Sequence, residues 1–180
     1  MRALVVYESM YGNTHAVATG IAAGLRATHE VTLVPLTRVT PELVARADLL
    51  VAGGPTHMHG MPSSASRRMA AEAAHEPGSG LTMDPDADGP GIRGWLDGVG
   101  SGNALAVAFD TRLTGVSAFT GRASRGISVQ LKRRGYRVLE APESFLVSRQ
   151  NKLLNGEAGR AFLWGAQIGE DALSLVATTL

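Results

Sequence analysis

The chain has 180 residues, 44% hydrophobic and 18% charged, with 17 Lys and Arg against 16 Asp and Glu for a formal net charge of +1. That length and balance predict a single soluble globular domain able to bury a core, with no electrostatic reason to expect nucleic acid or a membrane surface as partner. The chain has no cysteine, which excludes disulfides, a thiol nucleophile and thiolate metal ligation; no apolar run approaches the roughly 20 residues of a membrane span, and without a cleavable export signal the chain reads as cytoplasmic.

Residues 2–7 read as a buried strand, and Val17, Ile21 and Leu25 recur at helical spacing within a helix over 13–27. Between them lies "ESMYGNT", residues 8–14. A strand that ends in a tight turn and feeds a helix aims unpaired backbone N–H groups at one point, where the helix dipole favours an anion. Ser9 and Thr14 add hydroxyls, and Gly12 permits backbone angles that a side chain disfavours. The turn holds no Lys or Arg, and neither G-x-x-x-x-G-K-[ST] nor G-x-G-x-x-G fits it. It therefore suits one phosphate monoester better than a triphosphate. His15 is within reach of such a phosphate but reads as an exposed first-turn residue.

Downstream, "EVTLVPL" predicts a second strand, "PELVARA" a short helical turn, "DLLVAGG" a third strand and residues 63–74 a helix. Residues 75–102 are dense in Gly, Pro and Asp and read as a long inserted loop with one helical turn near Trp95. "ALAVAF" is a fourth strand, and Ala123, Ile127 and Leu131 line a helix that Gly135 stops. "YRVL" and "SFLV" form two pieces of a fifth strand interrupted by "EAPE". The last helix runs almost to the C-terminus, with Phe162 and Trp164 on different faces so that one of them is core. Strands alternating with helices predict an α/β fold: a doubly wound parallel sheet with helices on both faces. Five such units match the flavodoxin-like order 2-1-3-4-5, with ligands beyond the carboxyl ends of strands one and three.

"SMYGNT" after "LVVYE" resembles the phosphate-binding loop of the flavodoxin family: a hydroxyl residue, two variable positions, Gly, a polar residue and Thr. The turn after strand three, "GGPTHMHGMP", resembles the flavin-ring loop of flavodoxin-like proteins, and its "GPTHMHG" is similar to the G-x-P-T-x-x-G of flavodoxin-like quinone reductases. The resemblance implies non-covalently bound FMN. Ser9, Met10, Tyr11, Gly12, Asn13 and Thr14 would then hold the phosphate, and Pro55, Thr56, His57, Met58, His59 and Gly60 would meet the ring. One of His57, Met58 and His59 would cover a ring face where many flavodoxins carry an aromatic. Asp110, Thr111 and Arg112, in the loop after strand four, would lie on the far side. That loop's aromatics are Phe109, which continues the apolar strand and reads as core, and Phe119.

Metal sites find little support. Two histidines at i, i+2 without a third ligand suit zinc poorly. "DPDADG" begins like a calcium loop but places Trp95 where a Glu is required. No nucleophile elbow is present, so under the resemblance the redox chemistry belongs to the flavin. It implies electron transfer to a redox partner protein or a small-molecule acceptor. The alternative is an FMN-dependent NAD(P)H:quinone or small-molecule reductase, which the 75–102 insertion favours as a lid or subunit contact; a flavin-free binding or regulatory module is a third reading. Very acidic flavodoxins disfavour the anionic reduced flavin, so a net charge of +1 with histidines at the ring predicts a less negative reduced-flavin potential.

Overall fold

The computed structural model describes residues 1–116 and 120–179. Among them six strands form one sheet: β1 (Arg2–Tyr7), β2 (Glu30–Pro35), β3 (Leu49–Pro55), β4 (Leu105–Leu113), β5 (Arg137–Val138) and β6 (Glu143–Val147). All pairings are parallel in the order β2-β1-β3-β4-β5, and β6 also pairs with β4. β5 meets Leu105 and Ala106, whereas β6 meets Phe109–Leu113, so two short strands share the fifth position. Pro142, which has no amide to donate, sits in the gap between them.

Among the described residues six α-helices accompany the sheet: α1 (Asn13–Leu25), α2 (Pro41–Ala45), α3 (Ser64–His75), α4 (Ile92–Gly98), α5 (Ala123–Arg133) and α6 (Glu157–Thr179). Strand side chains alternate between faces. Val5, Tyr7, Val51, Val107 and Phe109 therefore pack against α1 and α6, while Leu4, Val6, Leu50, Ala52 and Ala108 pack against α4 and α5. Central β3 is buried along its whole length, as a parallel strand covered on both faces must be, whereas edge strand β2 is only partly buried. α1 and α6 approach so closely that a Cβ on Gly24 would lie 2.1 Å from the Phe162 carbonyl oxygen. Any side chain there forces the helices apart. On α6, Trp164 is the core member, 6.0 Å between ring centroids from Phe145, and Phe162 is exposed.

β4 runs on past the apolar stretch to Leu113, because β3 and β6 supply backbone partners on both sides of Asp110 and Thr111. Asp110, Thr111 and Arg112 are thus strand residues and not loop residues, a correction to the sequence expectation. Within the insertion, the helical turn expected near Trp95 is α4, and residues 76–91 form turns without a helix or strand. Among the described residues no helix is long and apolar enough to cross a membrane, and no group of three or more His, Cys, Asp or Glu is placed to hold a metal ion.

Candidate functional site

The carboxyl ends of β1, β3, β4 and β6 open onto a cleft of about 210 Å³. Met10, Tyr11, Asn13 and Thr14 line it from the turn after β1, and Pro55, Thr56 and His57 from the turn after β3. Thr111, Arg112 and Leu113 contribute from β4, and Val147 and Asn151 from β6 and the loop beyond it. A larger cleft of about 710 Å³ lies at the opposite end of the strands, between α2, Trp95 and Tyr136. No charged side chain lines it, and the doubly wound topology places ligands at the other end.

The phosphate-type turn is built around Gly12, which precedes α1 with φ 88° and ψ −17°. Nothing lies within 4 Å of the Cβ it lacks, so glycine is required here by conformation and not by space. Its N–H donates to Ser9 Oγ at 3.0 Å, and its carbonyl accepts from the Ala16 N–H at 2.9 Å. No side chain caps α1 and its first turn holds no acid. The amides of Asn13, Thr14 and His15 therefore have no acceptor within the helix, and no acid of α1's own first turn offsets the positive end of the dipole. Thr14, only 2% exposed, shares a 2.8 Å hydrogen bond with Thr111 through their Oγ1 atoms. One bond between two hydroxyls leaves one of their hydrogens to donate elsewhere.

The rest of the turn is tied to three neighbours. Tyr11 Oη donates to the Ala70 carbonyl on α3 at 2.8 Å. The Met10 carbonyl accepts from the Asp84 N–H at 2.8 Å. Asn13 Nδ2 donates to the backbone and side-chain oxygens of Asn151, both at 3.0 Å, and Asn13 Oδ1 accepts from the Leu153 N–H at 3.0 Å. Of the six residues expected at a phosphate, Met10, Tyr11, Asn13 and Thr14 line the cleft, while Ser9 and Gly12 shape the turn from behind.

The second turn has a different construction. His57 and Gly60 exchange both backbone hydrogen bonds, at 2.9 and 3.0 Å, around Met58 at φ 45° and His59 at φ 73°. Two positive φ values mark a type I′ turn, whose favoured pair is Asn-Gly. Non-glycine residues in the left-handed region store strain of order 1 kcal/mol each. Met58 is 77% exposed, and Met58, His59 and Gly60 do not line the cleft. Of the three candidates to cover a ring face, His57 is the one that faces the cleft. Burial, with the Arg67 charge adding to it, holds its imidazole below the usual 6.5 and hence neutral at pH 7. Thr56 joins this turn to its surroundings, its N–H donating to the Thr111 carbonyl at 2.7 Å and its Oγ1 accepting from the Ala123 N–H at 2.8 Å.

On the third side, strand alternation separates neighbours. Thr111 faces α1 and the cleft, whereas Asp110 is fully buried on the other face of the sheet, where its Oδ2 accepts the Ser124 N–H at the start of α5 at 2.7 Å. Asp110 is thus a cap for α5 and not a wall of the cleft, which corrects its placement opposite the ring. Arg112 Nη1 donates to the carbonyls of Leu113 and Gly115 and to Thr120 Oγ1, holding the turn beyond β4. Phe119 lies outside the described residues. His15 stacks on Tyr7, with centroids 4.7 Å apart, and its Nδ1 is 3.4 Å from Asp84 Oδ2, so it faces the 84–88 turn.

Sequence reasoning missed Leu113, Val147 and Asn151 as lining residues. The signal for Asn151 was available: the polar "SRQN" follows "SFLV" at the carboxyl end of the fifth strand position, the end at which this topology gathers ligands. It also passed over buried Glu8, whose Oε1 is 3.0 Å from Arg67 Nε and whose Oε2 accepts the Ile92 N–H at 2.8 Å.

The family model for flavodoxin matches residues 5–120. The chain belongs to the flavodoxin family. Similar solved structures include a flavodoxin from the domain Archaea, 18% identical over 96% of this chain and 99% of that one, with a TM-score of 0.64. Oxidised flavodoxin 1 from Bacillus cereus is 15% identical over 97% and 98%, with a TM-score of 0.61. A WrbA-like flavodoxin from Agrobacterium tumefaciens is 19% identical over 96% and 98%, with a TM-score of 0.60. At such identities these likenesses concern the fold. A comparison with curated proteins returns no significant match.

Proposed function

We propose that this flavodoxin-family chain binds FMN non-covalently in the 210 Å³ cleft and serves as an electron carrier to a redox partner protein. The observation that carries the reading is the uncapped, acid-free start of α1 behind Gly12, opening on the buried Thr14–Thr111 hydroxyl pair. Free helix amides, a positive dipole end and one spare hydroxyl hydrogen fit a single phosphate without a cationic side chain. At the other end His57 supplies a flat face, and Pro55, Leu113 and Val147 supply apolar wall, which fits a planar heterocycle. Bound flavin supplies reversible one- and two-electron chemistry. The residues present do the binding: Thr14, Thr111 and the first-turn amides hold the anion, and His57 packs on the ring as a neutral imidazole.

The 75–102 insertion supports the reductase alternative as a lid or a subunit contact. No residue of that segment lines the cleft, which speaks against the lid. The test is a visible spectrum of the purified protein before and after FMN addition and desalting, followed by stepwise reduction. A retained flavin chromophore that passes through a stable semiquinone supports the carrier. Direct oxidation of NAD(P)H with little semiquinone favours the reductase, and a colourless protein that releases all added FMN overturns both. With a net charge of +1, the semiquinone-to-hydroquinone midpoint is expected to be less negative than in acidic flavodoxins, which potentiometric titration reads directly.

A further inference from the structure

The insertion between α3 and α4 grips the phosphate-type turn at both ends while staying out of the cleft. At the leading end, Glu8 directly precedes Ser9. Arg67 on α3 brings Nε to 3.0 Å from Glu8 Oε1 and also donates through Nη1 to the Gly89 carbonyl at 2.8 Å and through Nη2 to the Ala87 carbonyl at 2.7 Å. The other Glu8 oxygen accepts the Ile92 N–H at the far end of the insertion, at 2.8 Å. The pair is shielded, with 3% of the Glu8 side chain and 20% of the Arg67 side chain exposed. Beyond it, Asp84 donates its N–H to the Met10 carbonyl at 2.8 Å, and its carboxylate stands 3.4 Å from Nδ1 of His15, the residue directly after Thr14.

We propose that residues 76–91 are an internal brace for the anion cradle, and that Arg67 is the positioning residue through which the brace sets affinity for the phosphate end of the cofactor. The inference rests on the FMN reading and goes beyond it. Two physical effects act together. The Arg67 fork ties the insertion to the residue that starts the turn, so the amide directions are fixed before the anion arrives. It also neutralises Glu8, the acid adjacent to the cradle; without Arg67 a buried carboxylate held only by the Ile92 N–H would stand beside the turn without a counter-charge and repel a phosphate. Arg67 thereby serves an anion that it does not line.

The test compares FMN with riboflavin, which lacks the phosphate, in fluorescence titrations at pH 8, where His57 is neutral. The proteins are the unaltered chain, Arg67→Met, Arg67→Lys and Arg67→Met/Glu8→Gln. Arg67→Met is expected to weaken FMN at least tenfold and riboflavin less than twofold, Arg67→Lys to retain most of the FMN affinity, and Glu8→Gln to restore most of what Arg67→Met loses. Equal losses for the two flavins would mean general destabilisation and overturn the proposal. Hydrogen exchange on the flavin-free protein tests it separately: the hydrogen-bonded amides of Gly12, Ala16 and Asp84 should exchange at least tenfold faster in Arg67→Met, with those of β3 unchanged. Unaltered exchange at these three amides refutes the brace. If the unaltered chain binds neither flavin, the FMN reading falls and the exchange comparison alone decides the brace. Should Arg67→Met not fold, Arg67→Gln, which removes the charge but keeps a donor for the insertion carbonyls, should show the same pattern at a few-fold level.

Discussion

At the phosphate end of the cleft, Met10, Tyr11 and Asn13 each bond to a different part of the fold, while at the ring end His57 and Gly60 bond each other and His59 pairs with Gly121. The first turn places its one left-handed residue at a glycine; the second places two at Met58 and His59 and leaves Met58 largely exposed. The contrast follows from what each end would recognise. A phosphate is small and rigid, and a set of donors fixed in advance binds it with little ordering cost. At the ring end two left-handed residues keep their strain because the His57–Gly60 exchange and the His59–Gly121 pairing over-determine them.

Breaking the rigid end should have the largest effect. Gly12→Val forces a β-branched side chain into the left-handed region and is expected to lower stability by about 2 kcal/mol. Gly12→Asn, which tolerates that region, should cost far less. Urea unfolding midpoints of the two variants check this, and equal losses would mean that the backbone angle is not what glycine provides. Next in size, Thr14→Val leaves the Thr111 hydroxyl buried without its partner, at about 1–2 kcal/mol of stability and roughly tenfold in FMN affinity. Thr14→Ser should keep both. Because the two hydroxyls share one bond, Thr14→Val/Thr111→Val should cost less than the sum of the single changes.

The ring end should respond with the opposite sign. Met58→Asn combined with His59→Gly installs the pair that a type I′ turn favours and is expected to stabilise the protein by about 1 kcal/mol, seen as a higher thermal midpoint. The ratio of FMN to riboflavin affinity should not change, because the phosphate end is untouched. A fall in the midpoint would show that Met58 and His59 are held by contacts stronger than the strain they carry.

How much of this was legible in the sequence depends on how local each feature is. The phosphate-type turn was legible because its chemistry lies in seven consecutive residues between an apolar strand and an amphipathic helix. The sheet order followed from the same alternation repeated along the chain. Asp110 was misplaced because the apolar pattern stops at Phe109 while backbone pairing with β3 and β6 carries the strand on to Leu113. Once residues 110 and 111 are extended, alternation must send their side chains to opposite faces. The Glu8–Arg67 pair and the Asn13–Asn151 clasp were invisible for another reason: each joins residues distant in sequence that only the folded chain brings together.

The smallest expected effect, and the one that separates the two ends without altering either, is pH dependence. Burial and the Arg67 charge hold His57 below 6.5 in the folded chain, so as pH falls through 6.5 the unfolded chain takes up a proton first. The His57 contribution is thus fully present above 6.5 and lost as pH drops towards its folded value. His29, buried near the chain's N-terminal ammonium, is shifted in the same direction and must be separated from it. Glu8 at the phosphate end has the reverse sign: burial raises it above 4.5 against the opposing Ile92 N–H and Arg67 charge, so its share of stability is fully present below 4.5 and lost as pH rises from there to its raised folded value. Unfolding midpoints should therefore fall between pH 7.5 and 5.5, and His29→Gln and His57→Gln should each remove part of that fall. Glu8→Gln should alter the profile above 4.5 with the sign opposite to that of the histidines. If His57→Gln left the profile between 7.5 and 5.5 as it was, the neutral imidazole at the ring end would be lost as a distinguishing feature, and the contrast between the two ends would rest on backbone geometry alone.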